Sequence, residues 1–232
     1  MIQFNRLFQP ITLYDGLYTK VMYNLKYKTL NDVKNHDNVL YDIWCNKYPD
    51  KPDEKYLTHA HYHFDFIELN GVYTCTLSHE NDKLNRFFKK FIGTPQNIIE
   101  QFLEYFNQNF KKTSFFVGYD LQYELSILIK YMIKFNIKIP DSLKTYLDMK
   151  PWDDSFFLDV KYVWKFGDTY GITSEISQMA SFLNLKSTMD IVPMHKLVQM
   201  DQIQDKEIIM KNGMNYCNIY AQILYKLRTQ GI

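Results

Sequence analysis

The sequence predicts an α/β fold in which a mixed β-sheet is covered by helices. Two observations lead there. Residues 59–92 are dominated by alternating and β-branched segments, and after residue 93 short apolar runs alternate with helical patterns. Neither an internal repeat nor a low-complexity linker divides the chain. Its 232 residues therefore read as a single domain over 1–232, with an insertion at about 24–58 between the first and second strands.

Composition narrows the class without naming a function. The hydrophobic fraction of 46% and charged fraction of 23% are ordinary for a globular chain, whereas 19 Tyr and 17 Phe are many. The formal net charge of +1 excludes a global basic footprint for phosphate backbones and leaves room only for a local patch. Three scattered cysteines, Cys45, Cys75 and Cys217, argue against a disulfide framework and for a reducing compartment. The opening "MIQFNRLFQP" lacks the apolar run of a signal peptide, and Lys130 and Lys134 interrupt the most apolar later segment. The expectation is a cytoplasmic protein with no membrane partner.

Taken in order, "PITLYDG" (10–16) reads as a first strand running into a turn, and 29–48 as a helix. "YPDKPDEK" follows as a loop. "HAHYHFDFIEL" (59–69) alternates as a strand, and Asn70-Gly71 offers a hairpin turn into "GVYTCTLSH". "NRFFKKFIG" reads as a further strand. Thr94 and Pro95 supply the cap and first position of a helix over "TPQNIIEQFLEYFNQNF". "TSFFVGYD" is a buried strand, 121–138 a helix stopped before Pro140, and 171–185 a helix capped by Thr173 or Ser174. A closing helix runs from about 205 to 228, weakened in its middle by Gly213.

Three clusters carry chemistry. His59, His61 and His63 would share one face of a strand with Asp65, which suits either a transition metal or an exposed polar edge. Lys130, Lys134 and Lys138 share one helix face, a stripe for phosphates or for water. Asp120 and Glu124 stand where a strand hands over to a helix, as a cap favoured by the helix dipole or as half of a metal site.

The runs "FVGYDLQYELSILIKYMIKFNIKIP", "KPWDDSFFLDVKYVWKFGD", "ITSEISQMASFLNL" and "NYCNIYAQILYKL" follow in an order and spacing that resemble a known family. This is the 3′–5′ exonuclease family related to the proofreading domains of B-family DNA polymerases, in the DEDD ribonuclease-H-like superfamily. The likeness covers residue 10 to the end, with "NGVYTCTLSHENDKLNRFFKKFIG" at the second and third strands. It implies a ribonuclease-H-like mixed sheet and two-metal phosphodiester hydrolysis, in which Mg²⁺ or Mn²⁺ ions about 3.5–4 Å apart are held by four carboxylates.

Carried over by residue, the resemblance implies a degraded catalytic site. In the first motif, Asp15 takes the first acid's place with Leu17 for the second, or Tyr18 and Lys20 replace the pair. In the second, Gly118-Tyr119-Asp120 and Tyr123-Glu124 stand for Gly-His-Asn and Phe-Asp, with one residue fewer between them. In the last, Tyr216 remains and Tyr220 replaces the aspartate. Asp159 matches an acid often found near the site. A neutral Tyr is a poor Mg²⁺ ligand at neutral pH, and a Lys repels a cation.

The expectation is a pseudo-enzyme without a cofactor, acting as a nucleic-acid-binding or structural component of DNA or RNA processing. Tyr18, Tyr119, Tyr123, Tyr216 and Tyr220 would either stack bases of a single strand or pack in the core and cleft, and Lys130 and Lys134 would meet phosphates. Two alternatives stay open. One is an active exonuclease with Asp15, Asp120, Glu124 and Asp159 around one ion. The other is a protein-interaction scaffold in a larger, viral assembly.

Overall fold

A computed structural model describes residues 16–80, 83–110, 115–147, 157–164, 175–185, 191–200 and 204–229. Five strands form one sheet in the order β3-β2-β1-β4-β5: β1 (Gly16–Leu25), β2 (Ile67–Glu80), β3 (Lys83–Ile92), β4 (Phe115–Gly118) and β5 (Phe157–Asp159). β1, β2 and β3 run antiparallel in sequence, while β4 lies parallel to β1 and β5 parallel to β4. This is an α/β fold with a ribonuclease-H-like mixed sheet flanked by helices. Among the described residues, no helix is long and apolar enough to cross a membrane.

β1 has no hydrophobic alternation because helices cover both of its faces, and Gly16 to Asn24 are all buried. Leu17 and Val21 face a core built with α4 (Pro95–Asn109) and α5 (Leu121–Lys134). Tyr18 and Met22 face a second core, built with α8 (Ile176–Phe182) and α10 (Lys206–Thr229). The expected strand at 10–16 lies outside the described residues except for Gly16, which opens β1 where a turn was expected.

Between β1 and β2 come α1 (Leu30–His36), α2 (Asn38–Lys47) and α3 (Pro52–His59), which enclose a small core around Trp44, Tyr56 and Phe66. The single helix expected over 29–48 is two. Asp37 ends α1 and caps α2 by accepting the Leu40 N–H at 2.9 Å, because a short Asp side chain competes with the helical ladder. The expected loop at 48–55 is half helix: Pro52 opens α3 at its first turn, where a missing N–H costs nothing.

The strand expected at 59–69 begins only at Ile67. Ala60–Tyr62 and Phe64–Phe66 are single 3₁₀ turns, which let Ala60 and Phe66 reach the Trp44 core. Asn70-Gly71 is not a hairpin turn. Met22 pairs with Gly71 and Tyr23 with Leu69, so Asn70 is the extra residue of a β-bulge inside β2. The hairpin instead joins Glu80 to Lys83.

The strand over "NRFFKKFIG" and the Thr94-Pro95 helix start are as expected, with Thr94 accepting the Asn97 N–H. α5 ends at Lys134, earlier than expected. Asn136 takes a left-handed φ of 54°, and the Asn136 and Ile137 N–H groups bond the Ile133 and Met132 carbonyls in a Schellman closure. Four shorter helices complete the described residues: α6 (Asp141–Leu147), α7 (Val160–Trp164), α8 and α9 (Met194–Leu197). Glu175 holds the N-cap position of α8, with Gln178 completing a capping box; Thr173 and Ser174 lie outside the described residues.

Gly213 is a close-approach residue of α10. A Cβ there would stand 2.5 Å from the ring of buried Tyr73 on β2. Gly213→Ala improves helix propensity by about 1 kcal/mol, yet overpacking of a buried ring costs roughly 1–3 kcal/mol. A lower thermal midpoint is expected, relieved when Tyr73→Leu is added; a rise on Gly213→Ala alone would contradict this packing.

Candidate functional site

Among the described residues β4 pairs with β1 at Gly16, Leu17 and Tyr18, so the stretch of β1 beyond Tyr18 faces the start of α5 rather than a strand. Gly118 makes that turn tight, since a Cβ on it would meet Leu121 Cδ1 at 2.6 Å. Asp120 follows with a φ of 56°, left-handed backbone that Asp tolerates better than most residues. The chain then enters α5 and carries Glu124 back toward β1.

Glu124 is buried, and both of its oxygens are used. One contacts the Lys20 ammonium in a buried ion pair. The other accepts the Val21 N–H at 3.1 Å, satisfying a β1 donor that β4 does not reach. Lys20 is itself buried and lies 5.1 Å from the centre of the Tyr216 ring. Among the candidate positions of the first motif, Lys20 thus touches Glu124 with its side chain; Asp15 lies outside the described residues. Burial pushes the Glu124 carboxyl up to about 7, against the opposing pull of the Lys20 ammonium and the Val21 N–H.

The helix-cap reading of Asp120 is corrected by its neighbour across the sheet. Asp120 occupies the N-cap position without a side-chain cap, and its carboxylate pairs with Lys161 Nζ at 3.0 Å. The cap comes from Asp159 at the end of β5, which accepts the Asp120 N–H at 3.1 Å, the Leu121 N–H at 2.7 Å and the Lys161 N–H at 2.9 Å. Burial raises the Asp159 carboxyl to about 6 even so. Sequence reasoning gave Asp159 and Lys161 no such part. The available signal was an Asp at a strand end followed two residues later by Lys.

Both raised carboxyls have the same consequence for pH. The folded state holds the proton more tightly than the unfolded chain, so stability falls as pH rises from the ordinary values of 4.5 and 3.8 toward about 7 and 6. Glu124→Gln and Asp159→Asn are each expected to flatten part of that slope in urea midpoints measured across the window. A slope unchanged in both variants would contradict the assignment.

Of the two readings of Tyr18, Tyr216 and Tyr220, packing holds and base stacking is corrected: all three are buried in the core under α10 and present no ring face to a base. The Tyr216 hydroxyl donates to the Val192 carbonyl at 3.0 Å. Among the described residues the buried Tyr220 hydroxyl has no hydrogen-bond partner, a state that costs roughly 1–3 kcal/mol. Tyr220→Phe is therefore expected to be neutral or stabilising in thermal melts, and a loss above about 1 kcal/mol would contradict that reading. Tyr119 and Tyr123 are half-buried. The Lys161 ammonium lies 5.9 Å from the Tyr119 ring centre, and the Tyr123 hydroxyl donates to the His61 carbonyl.

Lys130 and Lys134 are exposed on α5, over the rings of Phe64 and of Tyr131 and Phe135 respectively. The histidine triplet is corrected. His59 ends α3, His61 is buried in a 3₁₀ turn, and His63 lies beside Trp44, so they do not line one strand face. Burial lowers His61 to about 4. Among the described residues, no group of three His, Cys, Asp or Glu side chains is gathered to hold a metal ion. No family model matches the sequence, and no curated protein matches it.

Proposed function

We propose that this chain is an exonuclease-like protein of the DEDD superfamily that has exchanged two-metal catalysis for a buried ion pair. It acts as a nucleic-acid-binding or structural component of DNA or RNA processing. The observation that carries the reading is the Lys20–Glu124 contact. On the resemblance, Glu124 is the remaining metal carboxylate of the second motif, and Lys20 takes the place of an acid on the first strand. A fixed ammonium then supplies the counter-charge that divalent ions supply in the family.

The residues at hand suit a metal poorly. Glu124 spends its two oxygens on Lys20 and Val21, Asp159 spends its own on three backbone N–H groups, and Asp120 faces Lys161. A single-ion exonuclease would have to break these bonds to free its ligands. The test is a 5′-labelled single strand incubated with wild type and Glu124→Ala, with Mg²⁺ or Mn²⁺ and with EDTA, scored for shortening and for gel retention. Retention without shortening is the expected result. Metal-dependent 3′ shortening lost in the variant would overturn the proposal.

A second reading, a protein-interaction scaffold, is favoured by exposed apolar side chains on the helices between β1 and β2. Val39 and Ile43 of α2 are 72% and 58% exposed, and one turn apart they share a helix face. Absence of any salt-sensitive oligonucleotide binding would turn the assignment that way.

A further inference from the structure

β3 carries the sequence KLNRFFKKFI, with Lys83, Arg86, Lys89 and Lys90 and no acidic residue, in a chain whose net charge is only +1. It is the edge strand of the sheet, and its outer side has no strand partner among the described residues. Arg86 to Lys90 are all exposed, including both phenylalanines. Lysines on an edge strand discourage unwanted pairing, but that purpose alone leaves two exposed rings among the cations unexplained.

The register sorts these side chains. Arg86 pairs with Leu77, Phe88 with Cys75 and Lys90 with Tyr73, and all three partners belong to the core under α10. Arg86, Phe88 and Lys90 therefore stand in a row on the α10 side of the sheet, about 6.8 Å apart at two residues per pleat. Phe87 and Lys89 point to the other side, where α4 packs and where Glu100 and Glu104 of that helix are exposed. The α10 side is the one on which β3 offers cation, ring and cation in alternation.

We infer that this row is a docking surface for an unpaired nucleic-acid strand, with a base stacked on Phe88 and adjacent phosphates on Arg86 and Lys90. The inference rests on the nucleic-acid-binding reading above and deepens it by moving the contact from the old cleft, where Tyr18, Tyr216 and Tyr220 are buried, to the sheet edge. The occupant follows from the chemistry. A polymer that alternates anionic phosphate with a flat base is complementary to cation, ring and cation at even spacing. Sequence-tolerant single-strand binding uses the same pairing of stacking platform and positive track. The outer backbone N–H groups of the edge strand add further donors for phosphate oxygens.

The experiment uses full-length protein and labelled oligothymidylate over a potassium chloride series in EDTA. Phe88→Ala is expected to weaken binding about 5- to 150-fold, the loss of one stacked base. Arg86→Glu/Lys90→Glu is expected to weaken it further and to make the salt slope shallower by about 1.4, two single-strand phosphate contacts. Lys51→Glu/Lys55→Glu, at the N-cap and in the first turn of α3, makes the same change in net charge and is expected to stay close to wild type. All sites are exposed or half-exposed, and unchanged thermal midpoints confirm the fold in each variant. If wild type binds and the edge variants bind equally well, or fall no further than the α3 variant, the edge inference is overturned while the binding reading stands. If wild type itself shows no salt-sensitive retention, the binding reading fails and the edge inference with it.

Discussion

Lys20→Met is expected to destabilise the fold by about 3–5 kcal/mol, the loss that follows when one partner of a buried ion pair is removed and the other is left uncompensated. The size follows from the surroundings. Glu124 sits on the first turn of α5 with β1 in front of it and the rings of α10 behind Lys20, so little water can reach the abandoned carboxylate. The pH dependence identifies the mechanism. Without the ammonium that pulls it down, the carboxyl keeps its proton to pH values above about 7, so the penalty shrinks as pH falls toward about 7 and levels off below it, where Glu124 is protonated in both proteins. Lys20→Met/Glu124→Leu removes both charges and is expected to recover most of the loss, or to exceed wild type, because buried pairs replaced by apolar residues are often neutral or stabilising. Urea unfolding of the two single variants and the double variant measures the coupling. A double variant no better than the worse single one would show that packing, not charge, holds the two side chains together.

Asp159→Ala is expected to cost roughly 2–4 kcal/mol, since three backbone N–H groups lose a charged acceptor at once. Two of them belong to Asp120 and Leu121, the first donors of α5, and the third to Lys161, at the start of α7. The loss should therefore concentrate at the β4–α5 junction, where hydrogen exchange of the Leu121 amide would accelerate first. Asp159→Asn keeps the shape and one acceptor oxygen and should lose less. Equal stability of wild type and Asp159→Ala would mean that water replaces the carboxylate without cost.

These two residues also mark how much of the site could be read from the residues alone. Elements fixed by local chemistry were legible: Thr94-Pro95 started α4, and the apolar run ending in Gly118 was β4. Elements decided by distant packing were not. The alternation of His59, His61 and His63 pointed to a strand, but burial of Ala60 and Phe66 against Trp44 bent that segment into 3₁₀ turns. Asn70-Gly71 suits a bulge as well as a turn, and only pairing with Met22 and Tyr23 distinguishes them. β1, covered on both faces, carried no period to recognise.

Within the site, Glu124 stood out as an acid opening an apolar helix, and its burial agrees with that prominence. Lys20 was legible only as a missing acid. The clue to its role is its setting in "LYTKVMY", where a charge in a strand buried on both faces requires a partner of opposite sign. Asp159 was seen as a neighbour of the site, while its use as a remote helix cap depends on β5 lying beside β4.

The central claim, that an internal ammonium and not a divalent ion balances Glu124, is tested most directly by titrating Mn²⁺ into wild type and Glu124→Gln and counting bound ions by electron paramagnetic resonance. The expected result is the same binding curve for both proteins, with no ion whose affinity depends on Glu124. One or two ions held stoichiometrically by wild type and lost in Glu124→Gln would contradict it, because Lys20 would then have to leave the carboxylate to a metal.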